Sequence, residues 1–189
     1  MAAMFYEAGK FNQPVNFDTA KVREMQNMFF KASSFNQPVK FNTPALYRMY
    51  SMFFAASSFN QSVTLDTSRV EDFGDVFSTA VVFNQQVDFN TAQATDMDGM
   101  FTSAFAFNQP LNFDTSNVTN MDSMFSHTHT FNQPLNFDTS KVTNMYLMFN
   151  GAKAFNQDLS GWKVPLVTMR SGFDTNATDW KLPRPVWNK

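Results

Sequence analysis

Phe107-Asn-Gln-Pro-Leu-Asn-Phe-Asp-Thr-Ser-Asn-Val-Thr-Asn-Met-Asp-Ser-Met-Phe125 returns 24 residues later, nearly unchanged, as Phe131-Asn-Gln-Pro-Leu-Asn-Phe-Asp-Thr-Ser-Lys-Val-Thr-Asn-Met-Tyr-Leu-Met-Phe149. Working outward from this pair, Phe-Asn-Gln begins at Phe11, Phe35, Phe59, Phe83, Phe107, Phe131 and Phe155, always 24 residues apart. A fixed period of this size signals a tandem array in which each unit buries its apolar face only against its neighbours.

With each of these Phe residues as position 1, the columns divide into two kinds. Position 5 is Val or Leu (Val15 to Leu159) and position 7 is Phe or Leu (Phe17, Phe41, Leu65, Phe89, Phe113, Phe137). Two apolar residues two apart describe one face of a strand, and Pro at position 4 suits its first residue, so a short strand is expected over positions 4 to 8. A polar turn follows, with Asp or Asn at position 8 and Thr at position 9, both fitted to Asx-turns and helix caps. Position 12 is mostly Val or Leu, positions 15 and 18 mostly Met, position 19 Phe and position 22 mostly Ala. Offsets of 3, 3, 1 and 3 match one stripe of a short helix. The expected fold is α/β: a leucine-rich-repeat-like right-handed solenoid with one short parallel strand and one short α or 3-10 helix per coil. The Met and Phe columns are its core, since Met packs readily into such stripes.

Composition agrees with systematic burial of rings and thioethers. Charged residues are 16% of the chain, against roughly 25% in an ordinary soluble domain, while there are 24 Phe and 13 Met. The net charge of −2 is spread without basic blocks, so no nucleic-acid face is expected. Cysteine is absent, which removes disulfides and thiolate metal sites. No apolar run is long enough for a membrane-spanning helix.

A single repeat domain over 1–189 is expected. Residues 1–10 form a partial coil or N-cap, because Met1, Met4, Phe5 and Ala8 fall on positions 15, 18, 19 and 22; the reading leans to an array with further repeats before it. Residues 11–159 are repeat coils and 160–189 a divergent C-terminal cap, where Met169 and Phe173 still count onto positions 15 and 19 and Trp162, Trp180 and Trp187 appear.

The run from Phe107 to Phe125 resembles the BspA-type leucine-rich repeat, a Mycoplasma-type surface repeat of unknown function. That family shows Trp-Asp-Thr-Ser-x-Val-Thr followed by Met-x-x-Met-Phe-x-x-Ala. The likeness covers about residues 1–173, with Phe in place of Trp before Asp and looser third and fourth coils. The resemblance implies a right-handed parallel stack with a binding or adhesive role, often at a cell surface, and no catalytic residue.

The residues themselves suggest no catalysis and no cofactor. His127 and His129 stand at positions 21 and 23 of one coil, outside the core columns, and lack the further ligands that a zinc site needs. The position 8 column (Asp18, Asn42, Asp66, Asn90, Asp114, Asp138) could offer oxygens to calcium, and the Thr column could order ice; turn chemistry explains both columns as well. The preferred reading is a non-enzymatic protein-binding or structural scaffold, part of a larger assembly or surface protein. Its candidate interface is Phe30, Phe54, Tyr47 and Tyr50, aromatic residues at positions expected to face solvent. Calcium, glycan or ice binding through the Asp and Thr ladders is the alternative.

Overall fold

The computed structural model describes residues 1–187. Consecutive repeats lie side by side and in parallel, each residue beside its counterpart about one period away. Two strands, β1 (Val39–Lys40) and β2 (Val63–Thr64), pair with Val39 opposite Val63 and Lys40 opposite Thr64. The strand expected over positions 4 to 8 of every repeat is thus regular only in the second and third. A longer parallel ladder runs at position 14, through Glu24, Arg48, Asp72, Asp96, Asn120, Asn144 and Met169.

The expected helix is not formed: no α or 3-10 helix occurs among the described residues. Positions 15 to 22 are a chain of turns in which positions 17 and 21 have positive φ, as at Asn27 (57°) and Lys31 (53°). A helix needs every residue in the right-handed region, so two left-handed residues per repeat exclude it. Met28 N–H donates back to Met25 O and Ala32 N–H to Phe29 O. With the left-handed residue third of four, these are turns of type II character. The odd-numbered amides point outward from the repeat: Asn27, Phe29 and Lys31 N–H donate to the Tyr50, Met52 and Phe54 carbonyls of the next repeat at 3.1, 2.8 and 2.7 Å. Even amides therefore close turns while odd amides join repeats, which satisfies a backbone that is buried on one side.

Position 14 supplies one more link. Asp72, Asp96, Asn120 and Asn144 each accept the N–H two residues later, from Gly74, Asp98, Asp122 and Tyr146. Turn-forming Asp and Asn side chains suit this role.

The inner columns close into one core. Phe29, Phe53, Phe77, Phe101, Phe125 and Phe149 at position 19 are fully buried, as are Phe35, Phe59, Phe107 and Phe131 at position 1. Each position 19 ring stacks on the next repeat's position 1 ring at about 4.0 to 4.4 Å, as Phe77 does on Phe83 and Phe125 on Phe131. Such pairs contribute about 0.5–1.5 kcal/mol beyond area burial. The Met columns at 15 and 18 fill the remaining space at 0% exposure from Met25 to Met148.

Side-chain ladders flank positions 4 to 8. At position 2 each Asn carboxamide oxygen accepts the next Asn main-chain N–H at 2.8–2.9 Å, from Asn12 through Asn132. The Gln at position 3 donates to the same oxygen, as in Gln109 to Asn84. At position 9 the Thr hydroxyls donate to the next repeat's position 8 carbonyl, as in Thr67 to Asn90 O and Thr91 to Asp114 O, both at 3.0 Å. These Thr residues are 1–3% exposed.

The last repeat is shifted by one residue. Asn144 bridges Met169 rather than residue 168, and Thr139 donates to Lys163 O. One extra residue is therefore accommodated between Gln157 and Lys163, beside a cleft of about 250 Å³ lined by Phe137, Asp138, Thr139, Gly161 and Lys163. Met169 and Phe173 consequently take positions 14 and 18, not the 15 and 19 obtained by counting, and Met169 is 51% exposed. Trp162 occupies position 7, its ring 6.0 Å from Phe137. Trp180 takes position 1 of a further partial repeat: Lys181 N–H donates to Asn156 Oδ1, and Pro183 O accepts from Leu159 N–H.

Candidate functional site

Position 20 has a buried root and an outward side chain. Ser78 and Ser126 there are 3% and 5% exposed, so a larger residue on the same backbone must project from the surface. Phe30 and Phe54 do so, half-buried, with their rings 4.7 Å apart and 8° from parallel. Tyr6, at position 20 of the first partial repeat, continues the column at 4.7 Å and 0° from Phe30 and is 47% exposed. The spacing follows the roughly 4.7–4.9 Å separation of paired chains. Lys31 Nζ lies 5.3 Å from the Phe30 ring centroid and 3.2 Å from Glu7 Oε1. The exposed ion pair adds at most about 1 kcal/mol, but it sets a charged edge beside the three rings.

The four candidate residues thus divide into two groups. Phe30 and Phe54 are brought together; Tyr47 and Tyr50, at positions 13 and 16, make no ring contact with them. Tyr47 Oη donates to Glu24 Oε1 at 2.8 Å, and the Arg48 guanidinium lies 5.6 Å from its ring and 3.8 Å from Glu24. That hydrogen bond holds the Glu24 carboxyl below, and the Tyr47 phenol above, its usual range. Tyr47 and Arg48 also line a shallow depression with Glu71 and Asp72. Tyr6 was missed among the candidates although extending the position 20 column back 24 residues from Phe30 reaches it.

Two features expected to be available to ligands are otherwise engaged. The Thr column is buried and hydrogen-bonded between repeats, so it is not a face that could meet ice. In the position 8 column Asp66, Asp114 and Asp138 accept the N–H of Ser68, Ser116 and Ser140. Side-chain and main-chain hydrogen bonds from those serines keep the three carboxyls below the usual range.

A second cluster lies on repeats three and four. Asp72 and Asp96 are adjacent at position 14, and the Asp98 and Asp75 carboxylates lean over Gly74 and Gly99, where a Cβ would come within 2.4 Å of either. Burial raises the pKa of Asp72 and Asp75; burial, then the Asp96 charge, pushes Asp98 up to about 7. Asn120 Nδ2 donates to both Asp96 oxygens at 3.0 and 3.1 Å. His129 stacks on Phe105 at 4.8 Å, and burial lowers its pKa. Among the described residues no group of three or more His, Cys, Asp or Glu has a metal-holding arrangement, and no helix is long and apolar enough to cross a membrane.

The model of a family described as Mycoplasma protein of unknown function, DUF285, matches residues 1–88, 40–112, 64–162 and 111–189. The chain belongs to the DUF285 family. The four overlapping matches span the whole sequence, as a tandem repeat requires. No curated protein and no solved structure matches it.

Proposed function

We infer that this DUF285 chain is a non-enzymatic, protein-binding scaffold: a leucine-rich-type solenoid of the BspA kind that presents side chains from a rigid lattice. The parallel position 14 ladder and the buried columns support a solenoid. A rigid array with variable outer positions suits recognition. The observation that carries the reading is the Tyr6–Phe30–Phe54 column, three parallel rings that reach the surface while position 20 later becomes Ser78, Thr102, Ser126 and Asn150. Stacked aromatic side chains pre-organise contact area, because each ring is held by its neighbours before a partner arrives.

The test is affinity capture from the native source with three baits: the wild type, the Phe30→Ser/Phe54→Ser double variant and Tyr47→Ala. A protein retained by the wild type and Tyr47→Ala but lost from the double variant supports the reading. The same proteins on all three baits would remove the aromatic column from any role in binding.

A further inference from the structure

The array keeps its 24-residue step until the extra residue between Gln157 and Lys163. Departures from a consistent local pattern are where functional sites are expected, and this one is a fastened bulge. Ser160 N–H donates to Asp158 Oδ1 at 2.9 Å, and Trp162 N–H closes a turn onto Leu159 O at 3.0 Å. The Trp162 indole N–H donates to Leu135 O at 3.2 Å, and Thr139 Oγ1 donates to Lys163 O at 2.7 Å. The bulge is thereby tied to the preceding repeat, and the cleft of about 250 Å³ between them is held in shape.

The cleft has both room and unspent polar groups. A Cβ built on Gly161 would meet nothing within 4 Å, so this wall is bare main chain facing open space. Gly161 N–H donates to no described residue, and Lys163 Nζ neither donates to one nor forms an ion pair with one. Lys141, the next cation, is by contrast engaged, its Nζ donating to Asn117 Oδ1 at 2.7 Å. Asp138 lines the cleft as a carboxylate: hydrogen bonds from Ser140, and then the Lys163 and Lys141 charges, hold its carboxyl below the usual range. The buried Phe137 and Thr139 supply the remaining wall.

These walls select by chemistry. A lone anion meets Asp138 and a lone cation meets Lys163, so a guest with net charge of either sign is opposed. The free groups are an acceptor on one wall and donors on the other, and a hydroxyl, with one donor and two acceptor sites, serves both. The volume lies below the roughly 300–1,000 Å³ of pockets for drug-sized molecules, so the cleft suits one small ring.

We propose that the cleft between Asp138, Gly161 and Lys163 binds a single neutral sugar unit, free or at the end of a glycan. Asp138 accepts from its hydroxyls, while Lys163 Nζ and Gly161 N–H donate to them. The site is separate from the Phe30 and Phe54 column, which lies in the first two repeats.

The test is a two-dimensional amide NMR titration of the full chain with glucose, galactose, mannose and N-acetylglucosamine, each also as its methyl glycoside. The small size of the guest sets the expected Kd at about millimolar. The expected result is saturable shifts confined to the Thr139, Gly161 and Lys163 amides and the Trp162 indole. Equal binding of the methyl glycoside supports the end of a glycan as the source, and binding of the free sugar alone supports a monosaccharide. Gly161→Val fills the open space without a clash and weakens binding about tenfold or more, with an unchanged melting curve; Lys163→Met, which keeps the stem and removes the donor, does the same. Phe54→Ser leaves the titration as it was, so this site and the aromatic column stand or fall separately. No saturable shift from any of the sugars at about 100 mM, or an equal titration of the Gly161→Val chain, overturns the proposal. A titration in which glycine moves these resonances and the sugars do not also overturns it, and assigns the cleft to a zwitterion.

Discussion

Repeats one and two and repeats three and four have the same turns and the same buried columns but opposite outer faces. In the first pair, position 14 holds Glu24 and Arg48, whose charges meet at 3.8 Å, and position 20 holds the stacked Phe30 and Phe54. In the second pair, position 14 holds Asp72 and Asp96, position 20 the small Ser78 and Thr102, and Asp75 and Asp98 crowd over glycines. Main-chain hydrogen bonds from positions 17, 19 and 21 are alike in both, such as Phe29 to Met52 O at 2.8 Å and Phe77 to Met100 O at 2.9 Å. The backbone is therefore set by inner side chains and by repeat-to-repeat hydrogen bonds, and the outer positions can change character, even to like charges, without altering the path.

That separation can be broken most severely from inside. Phe53→Ala in the second repeat and Phe101→Ala in the fourth each remove a fully buried ring flanked by rings on both sides. Each is expected to cost about 3–5 kcal/mol. Near-equal losses in urea unfolding would show that the inner columns are interchangeable between the two regions; a twofold difference would show that they are not.

Next comes the ladder beside the core. Asn108→Ala takes the acceptor of Asn132 N–H and one of the two acceptors of Gln133 Nε2, which keeps Asn108 O, a loss of about 0.5–1.5 kcal/mol for hydrogen bonds at this exposed position. The same experiment at Asn36, which serves Asn60 in the aromatic region, is expected to give a similar figure.

The acidic face sharpens the contrast through pH. Asp98 has a folded pKa of about 7 against an ordinary 3.8, so the folded state holds its proton more tightly than the unfolded one. Stability from this group is present below the ordinary value and is lost as pH rises through about 7. The raised Asp72 and Asp75 act in the same direction. The hydrogen-bonded Asp66, Asp114 and Asp138, shifted downward, lose their contributions only in stronger acid. Melting temperature is therefore expected to fall between mildly acidic and mildly basic buffer, and Asp98→Asn should flatten that fall. An unchanged slope in the variant would place the pH response elsewhere.

The smallest effect is expected on the aromatic face. Phe30→Ser removes an outward ring whose root remains filled by a small residue, as at Ser78. Its cost is expected to be about 1 kcal/mol or less. A loss as large as that of Phe53→Ala would show that the column belongs to the core and not to a surface.

The period and the buried columns were legible from residues alone, because stacking repeats the same contact at every layer. The turns were not. Left-handed positions usually announce themselves by Gly, yet here only Gly99 at position 17 and Gly151 at position 21 do so in the full repeats, where position 17 is otherwise Asn27, Ser51, Asp75, Ser123 or Leu147 and position 21 includes Lys31, Ala55 and His127. A left-handed L-residue costs roughly 1–2 kcal/mol; each is held by an amide bonded into the next repeat, a contact that no single repeat contains. Without that clue, the 3, 3, 1, 3 spacing of Met, Met, Phe and Ala reads as a helix. The shift between Gln157 and Lys163 was hidden because Met169 and Phe173 are core-type residues that happen to count correctly. Of the candidate site, Phe30 and Phe54 were visible as apolar residues beside a core column, but their tie to Tyr6 depended on the first ten residues joining the array.

The division of labour between even and odd amides has a mechanical consequence. Bonds from odd positions all run from one repeat to the next, so a force pulling the two termini apart loads them one layer at a time, like a zip. The chain should yield in successive low-force steps, each releasing about 80 Å of extended polypeptide for one repeat, whereas a force applied across a repeat would meet the packed rings together and resist far more strongly.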